Sequence, residues 1–174
     1  PSMLLNKGAR IAVIGAGISG IAAANILKKN SFEAVVFEKA ENPGGVWAVA
    51  YPNIHLQNTY ASYHLSDFPW SFKPDLHPSG AQIMRYWQEA IKHLRLDVRL
   101  GHEVLALEEQ SDGWLLRYRN QKGEHEETFK YVIIAVGQYT EGKQRPPFPG
   151  EEQFSGTIIT ERKVRSLDIF NDKR

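Results

Sequence analysis

Arg10-Ile11-Ala12-Val13-Ile14-Gly15-Ala16-Gly17-Ile18-Ser19-Gly20 is the stretch on which the fold turns. Its first five residues form a short apolar, partly β-branched run that stops at glycine, the pattern of a strand buried on both faces. Behind the glycines, Ile18, Ile21, Ala22 and Ile26 recur at helical spacing as far as Lys28-Lys29, two cations suited to the negative end of a helix dipole. Phe32 to Phe37, with Glu-Ala-Val-Val at its centre, reads as a second strand. Strand, glycine turn, helix and strand within about 30 residues predict a right-handed βαβ crossover, and so an α/β, Rossmann-like fold built on a parallel sheet. In that setting G-x-G-x-x-G has a physical meaning. Gly15 permits the tight turn, Gly17 lets a pyrophosphate approach the backbone, and Gly20 lets the helix pack closely on the strand. Ala16, Ile18 and Ser19 belong to the same site, because the helix N-terminus turns free N–H groups and a positive dipole end toward the phosphates.

Glu38 follows Gly20 by 18 residues at the end of the second strand, near the ~20 expected of an acid that accepts from adenosine ribose hydroxyls. A carboxylate there repels a 2′-phosphate, so this position favours FAD or NAD over NADP. Asn42-Pro43-Gly44-Gly45-Val46-Trp47 comes next. A second glycine pair allows close backbone approach along an extended cofactor, and the Trp47 indole can cover its face. A plain NAD dehydrogenase has no need of this second contact.

The remainder organises around that unit. Residues 40–78 carry Pro43, Pro52, Pro69, Pro74 and Pro78 and read as a loop-rich excursion. Ser79 opens a helix to about Leu94, with Gln82 completing a capping box and Ile83, Trp87, Ala90, Ile91 and Leu94 on one face. Short strands near 97–100, 103–109 and 113–119, punctuated by Gly113 and Gly123, read as a small antiparallel β-meander. Glu108-Glu109 and Glu124 to Glu127 read as its solvated faces. Tyr131 to Val136 reads as a buried strand returning to the parallel sheet, and 138–156 as a Pro/Gly-rich linker. Pro1-Ser2 ahead of Met3 reads as a tag remnant within a short lead, 1–8.

Composition narrows the function classes. The 174 residues suffice for one hydrophobic core, and 42% apolar with 24% charged residues is ordinary for a globular chain. A net charge of +1 gives no argument for nucleic acid or an anionic membrane surface. The complete lack of Cys removes disulfides, thiol redox chemistry and Cys-based zinc sites from this chain. The six histidines form no i, i+4 pair, so no metal is expected. No apolar run reaches the ~18 residues of a membrane span, and a cytoplasmic setting is the expectation.

Taken together, Gly15 to Gly20, Phe37-Glu38-Lys39, Gly44-Gly45-Val46-Trp47 and Leu65-Ser66-Asp67-Phe68-Pro69-Trp70 resemble the flavin-containing monooxygenases, kin of the Baeyer–Villiger monooxygenases. Val132 to Tyr139 is similar to that family's Ala-Thr-Gly strand end, and Pro147-x-Pro149-Gly150 with Phe154-Ser155-Gly156 to the segment after it. The resemblance implies FAD as bound cofactor, NADPH as its reductant, and O2 with a small-molecule substrate. The oxygen goes to a nucleophilic N or S atom, or beside a ketone carbonyl in the Baeyer–Villiger branch. It implies cofactor contacts at Gly15, Ala16, Gly17, Ile18, Ser19, Gly20, Glu38, Lys39, Gly45, Val46, Trp47, Val104, Ala135 and Gly137. It also implies an amide hydrogen-bonded to the flavin or its oxygen adduct, for which Gln57 and Asn58 are both candidates.

The departures are informative. Val136 replaces the usual Thr, and Thr160 and Val164 stand where the family fingerprint has a His and an aromatic. The second G-x-G-x-x-G, which would bind NADPH, is not in this sequence. The expected organisation is therefore a lead at 1–8, an FAD-binding domain over 9–150, and a linker over 151–174 toward an NADPH-binding domain. That domain would come from the same protein or a companion chain, making this piece catalytically incomplete. Three other readings stay open: an FAD/NAD(P) oxidoreductase of the disulfide-reductase kind, which normally carries a Cys pair, an NAD dehydrogenase, and a non-catalytic flavin-binding module. The aromatic density between Trp47 and Phe72, seven of the 19 aromatics, suits either a flavin wall or simple packing.

Overall fold

The computed structural model describes residues 7–138 and 147–172. Four strands, β1 (Arg10–Ile14), β2 (Glu33–Phe37), β3 (Asp97–Arg99) and β7 (Tyr131–Ile134), form one parallel sheet in the order β3-β2-β1-β7. Helix α1 (Ile18–Lys29) makes the crossover from β1 to β2. Three further strands, β4 (Glu103–Gln110), β5 (Gly113–Asn120) and β6 (Gly123–Phe129), pair antiparallel as a meander.

The apolar runs of β1 and β2 are continuous because both faces of the sheet are covered. Val13 and Val36 point to one side, into a cluster with Ile21 and Ala24 of α1 and with Ile83, Trp87 and Ala90 of α2 (Gly80–His93). Ala12, Val35 and Phe37 point to the other side and meet Leu116, Tyr118 and Phe129 of the meander. The period of two along a strand thus distributes alternate residues between a helical layer and a β layer. Helix α2 begins as the sequence predicts. The Ser79 side chain accepts from the Gln82 N–H, and the Gln82 side chain accepts from the Ser79 N–H.

Several expectations are corrected. The strand at Asp97–Arg99 belongs to the parallel sheet beside β2, and the third meander strand is Gly123–Phe129. Its three glutamates disguised it. Alternate positions His125, Glu127 and Phe129 turn inward, and Glu127 is tolerated there because it is paired. Glu127 accepts from Arg10 (3.0 Å), Arg99 (2.6 Å) and the Tyr118 hydroxyl (2.8 Å), so it pins the meander to β1 and β3 rather than forming a solvated face. Tyr86 was missing from the expected face of α2 yet is fully buried. Its hydroxyl accepts from the Leu65 N–H (2.7 Å) and donates to the Phe68 carbonyl (2.6 Å), which satisfies the polar end of the ring. The β7 ladder ends at Ile134, two residues short of Val136.

The excursion over 40–78 carries 3₁₀ turns at Gly45–Val49 and Tyr60–Ser62. It is tied down at Asp67, which accepts from the buried Asn25 side chain (2.9 Å) and pairs with Lys29, both on α1. Residues 147–172 show 3₁₀ turns at Glu151–Gln153, Glu161–Lys163 and Leu167–Phe170, with Val164 buried. Most of the expected lead, together with Tyr139, Pro146, Lys173 and Arg174, lies outside the described residues. Among the described residues no helix is long and apolar enough to cross a membrane.

Candidate functional site

The site forms where the carboxyl ends of β1, β2 and β7 meet the N-terminus of α1. At the end of β1 the Gly15 N–H donates to the Phe37 carbonyl (2.8 Å), and the Ala135 N–H donates to the Ile14 carbonyl (2.8 Å). Gly15 sits at φ +104°, and a Cβ there would lie 2.5 Å from the Ala135 carbonyl oxygen. At Gly20 a Cβ would lie 1.9 Å from the Gly15 carbonyl oxygen, so helix and turn are in backbone contact.

Gly17 differs from both. It has an ordinary extended backbone, φ −78° and ψ −176°, and among the described residues a Cβ would meet only the Gly45 Cα, at 3.7 Å. The chain itself therefore makes no demand for glycine at position 17. The space left there is the cradle a phosphate group needs. The same end of α1 has no side-chain cap and no acidic residue in its first turn, while Lys28 and Lys29 occupy the last. Its N–H groups and positive dipole end open toward an anion.

Glu38 is held from two sides. One carboxylate oxygen accepts from the Ala16 N–H (2.8 Å) and the other from the Ala40 N–H (2.9 Å). Its backbone is gripped as well, the N–H donating to the Arg99 carbonyl (3.0 Å) and the carbonyl accepting from the His102 N–H (2.8 Å). The carboxylate stands next to the glycine turn in fixed orientation, with lone pairs left for hydroxyl donors. Gly44 and Gly45 adopt positive φ, +115° and +58°, and the Gly44 N–H donates to the Ala16 carbonyl (2.8 Å). This brings the second glycine loop onto the first, backbone against backbone.

The cavity enclosed by these loops is about 510 Å³, within the ~300–1,000 Å³ range of ligand sites. Gly15, Gly17, Ile18, Ser19, Glu38, Lys39, Gly45, Val46, Trp47, Val104, Ala135 and Gly137 all line it. Ala16 and Gly20 are buried just behind its wall. Gln57 and Asn58 are not brought to it. Both are exposed, on a loop tied to 76–78 by the Leu56 N–H donating to the Pro78 carbonyl (2.8 Å). Phe37, Asn42, His102, Glu103 and Gln138 also line the cavity and were not expected. Asn42 and Gln138 adjoin motif residues, and that adjacency was the available signal; His102 and Glu103 depend on how β3 and β4 are threaded. Among the described residues no group of three His, Asp or Glu side chains gathers as a metal site.

Residues 12–174 match the family described as pyridine nucleotide-disulphide oxidoreductase. The chain belongs to this family. The narrower resemblance to flavin-containing monooxygenases also holds, over a part of their length. A 4-hydroxybenzoate brominase (decarboxylating) of Pseudoalteromonas luteoviolacea is 34% identical over 94% of this chain and 32% of its own length. A putative flavin-containing monooxygenase of Arabidopsis thaliana is 28% identical over 89% of this chain and 39% of its own. In structure the chain is similar to the S-allyl-L-cysteine S-oxygenase of Allium sativum, with a TM-score of 0.84 and 20% identity over 95% of this chain and 44% of that one. The chain thus spans about a third to two-fifths of the length of the curated relatives it matches. The family description takes in disulfide oxidoreductases, but this chain holds no cysteine with which to act on one.

Proposed function

We propose that this chain is the FAD-binding portion of an NADPH- and O2-dependent flavoprotein monooxygenase. The observation that carries the reading is the state of Gly17, a glycine the fold does not need, placed between an uncapped helix N-terminus and an oriented carboxylate. A pyrophosphate fits the first, adenosine ribose hydroxyls fit the second, and the 2′-hydroxyl of FAD, unlike the 2′-phosphate of NADP, is welcome beside Glu38. Gly45, Val46 and Trp47 continue the wall along an extended ligand.

FAD supplies the redox and oxygen chemistry when bound; the protein contributes position and shelter from water. Gly15 and Gly20 hold the turn, Ala16 and Ala40 orient the Glu38 carboxylate, and Trp47 closes one side. Gln57 or Asn58 reaches the flavin only if their loop approaches the cavity, and either amide can serve as donor. NADPH is bound mainly by the remainder of the same protein or by a companion chain, and the substrate is a small molecule. The oxygen acceptor is a nucleophilic N or S atom, or a ketone carbon framework. A second reading follows from the 34% identity to a brominase, namely that bromide is the nucleophile.

The test is direct. The full chain is titrated with FAD and followed by flavin absorbance near about 450 nm and by fluorescence. Retention of flavin through gel filtration supports the reading, and a chain that takes up none overturns it. The longer protein, assayed for NADPH- and O2-dependent turnover with amine, sulfide, ketone or bromide, separates the substrate classes.

A further inference from the structure

Five redox-active rings run in contact from the cavity wall to the surface. Trp47 lines the cavity. Its ring centroid lies 6.1 Å from that of Tyr63, which lies 6.1 Å from that of Trp87. Trp87 is 5.1 Å from Tyr86, and Tyr86 is 4.6 Å from Trp70. Trp87 and Tyr86 are completely buried and Trp70 is half-buried at the far end. Simple packing would not need tryptophan and tyrosine, the two most easily oxidised rings, at every link.

The polar atoms give the chain a direction. The Trp47 indole N–H donates to the Tyr63 hydroxyl (2.8 Å). Among the described residues the buried Trp87 indole N–H has no partner in hydrogen-bond geometry, and the polar group it acts on is the neutral Tyr63 phenol. A phenol is too weak a base to take the proton of an oxidised Trp87, so the electron hole stays mobile. Burial also pushes the Tyr63 and Tyr86 phenols up, against hydrogen bonds that act the other way. Trp70 differs, because its N–H donates to the Tyr60 carbonyl (2.9 Å) in a solvent-exposed bond. There an oxidised indole can release its proton to water, which traps the hole at the surface.

We propose that Trp47, Tyr63, Trp87, Tyr86 and Trp70 form an electron-hopping chain that draws oxidising equivalents out of the flavin site. The proposal rests on the FAD reading above. The oxidant is a one-electron acceptor at that site, either a radical of partially reduced oxygen or a photoexcited flavin. One electron leaves Trp70 and arrives at the oxidant, passing through Trp87 and Trp47. The Trp70 Nε1 proton goes to water. An external thiol then returns one electron and one proton to Trp70 and is itself oxidised to a thiyl radical. The function is protective: an oxidant formed astray is discharged at a surface ring instead of destroying the pocket.

The experiment uses the full chain loaded with FAD and excited by a short pulse of blue light, which turns the oxidised flavin into a one-electron oxidant. Flavin emission and the transient absorbance of tryptophan radicals are recorded. Quenched emission and a long-lived tryptophan radical are expected in the wild type, and restored emission in Trp47→Phe. Trp70→Phe keeps the emission quenched but returns the electron to Trp47 faster, by about tenfold or more in rate. Trp87→Phe gives the same acceleration; because that site is buried, Trp70→Phe carries the test should Trp87→Phe not fold. Wild-type radical lifetimes in Trp70→Phe, or bright emission from flavin bound to the wild type, overturn the chain. Absence of any bound flavin overturns the FAD reading first, and so is distinguishable from both.

Discussion

Gly15 and Gly17 stand two positions apart in one turn and answer to different demands. Gly15 is required by the fold, through its positive φ and a Cβ position 2.5 Å from the Ala135 carbonyl oxygen. Gly17 meets no such demand from the described fold, and in the proposed reading it makes room for a phosphate. Gly15→Ala is therefore expected to cost about 1–3 kcal/mol of stability, the scale of a forced left-handed residue, read as a lowered Tm. Gly17→Ala is expected to leave stability within roughly 1 kcal/mol of wild type while weakening FAD binding by about tenfold or more, since a methyl group fills the proposed phosphate cradle. Equal loss of stability in both variants would contradict this division. The motif was written in the sequence, but which of its glycines the fold itself requires is visible only in the backbone. Glu38 was legible by its distance from Gly20. Its grip by the Ala16 and Ala40 N–H groups was not, because it depends on how two loops meet.

The elements are tied together by two carboxylates, and each makes the assembly sensitive to acid. Hydrogen bonds from Lys29 and Asn25 hold the Asp67 carboxyl below the usual range. Burial pushes Glu127 up, but bonds from Tyr118, Arg10 and Arg99 outweigh it and leave it lowered as well. A carboxylate held low in the folded state adds stability that is fully present above its unfolded value, about 4. That stability is lost as pH falls through the folded value. Tm is expected to hold near neutral pH and to fall below about pH 4, with a shallower fall in Asp67→Asn. A variant that melts on the same pH curve as wild type would remove Asp67 from the account. Glu127→Leu leaves Arg10 and Arg99 facing an apolar group, at a cost of roughly 1–3 kcal/mol for a site that water still reaches; urea unfolding measures it. These ties explain why β6 escaped recognition as a strand. An inward-facing glutamate contradicts the apolar alternation on which strand reading rests, and the arginines of β1 and β3 together with Tyr118 make it acceptable.

At the scale of the whole molecule, the cavity is a junction of pieces far apart in sequence: residues 14–19, 37–49, 102–104 and 135–138. A ligand that bridges them links the sheet, the first helix and the excursion, so FAD is expected to raise Tm. Saturation at a hundred times Kd should add about 2.7 kcal/mol, checked by melting the chain with and without flavin, and a Tm indifferent to FAD would count against the site. The parallel sheet, the crossover helix, the capped second helix and the glycine motif were all determined by the sequence itself, because each rests on local periodicity, local turn chemistry or a fixed spacing. The tertiary structure decided what depends on partners brought in from a distance. It set the place of Asp97–Arg99 beside β2, the inward turn of Glu127 and the burial of Tyr86. It also placed His102 in the cavity wall and put five oxidisable rings in contact from Trp47 to Trp70. Those are matters of which surfaces meet, and contact between surfaces is settled by packing, not by the order of residues along the chain.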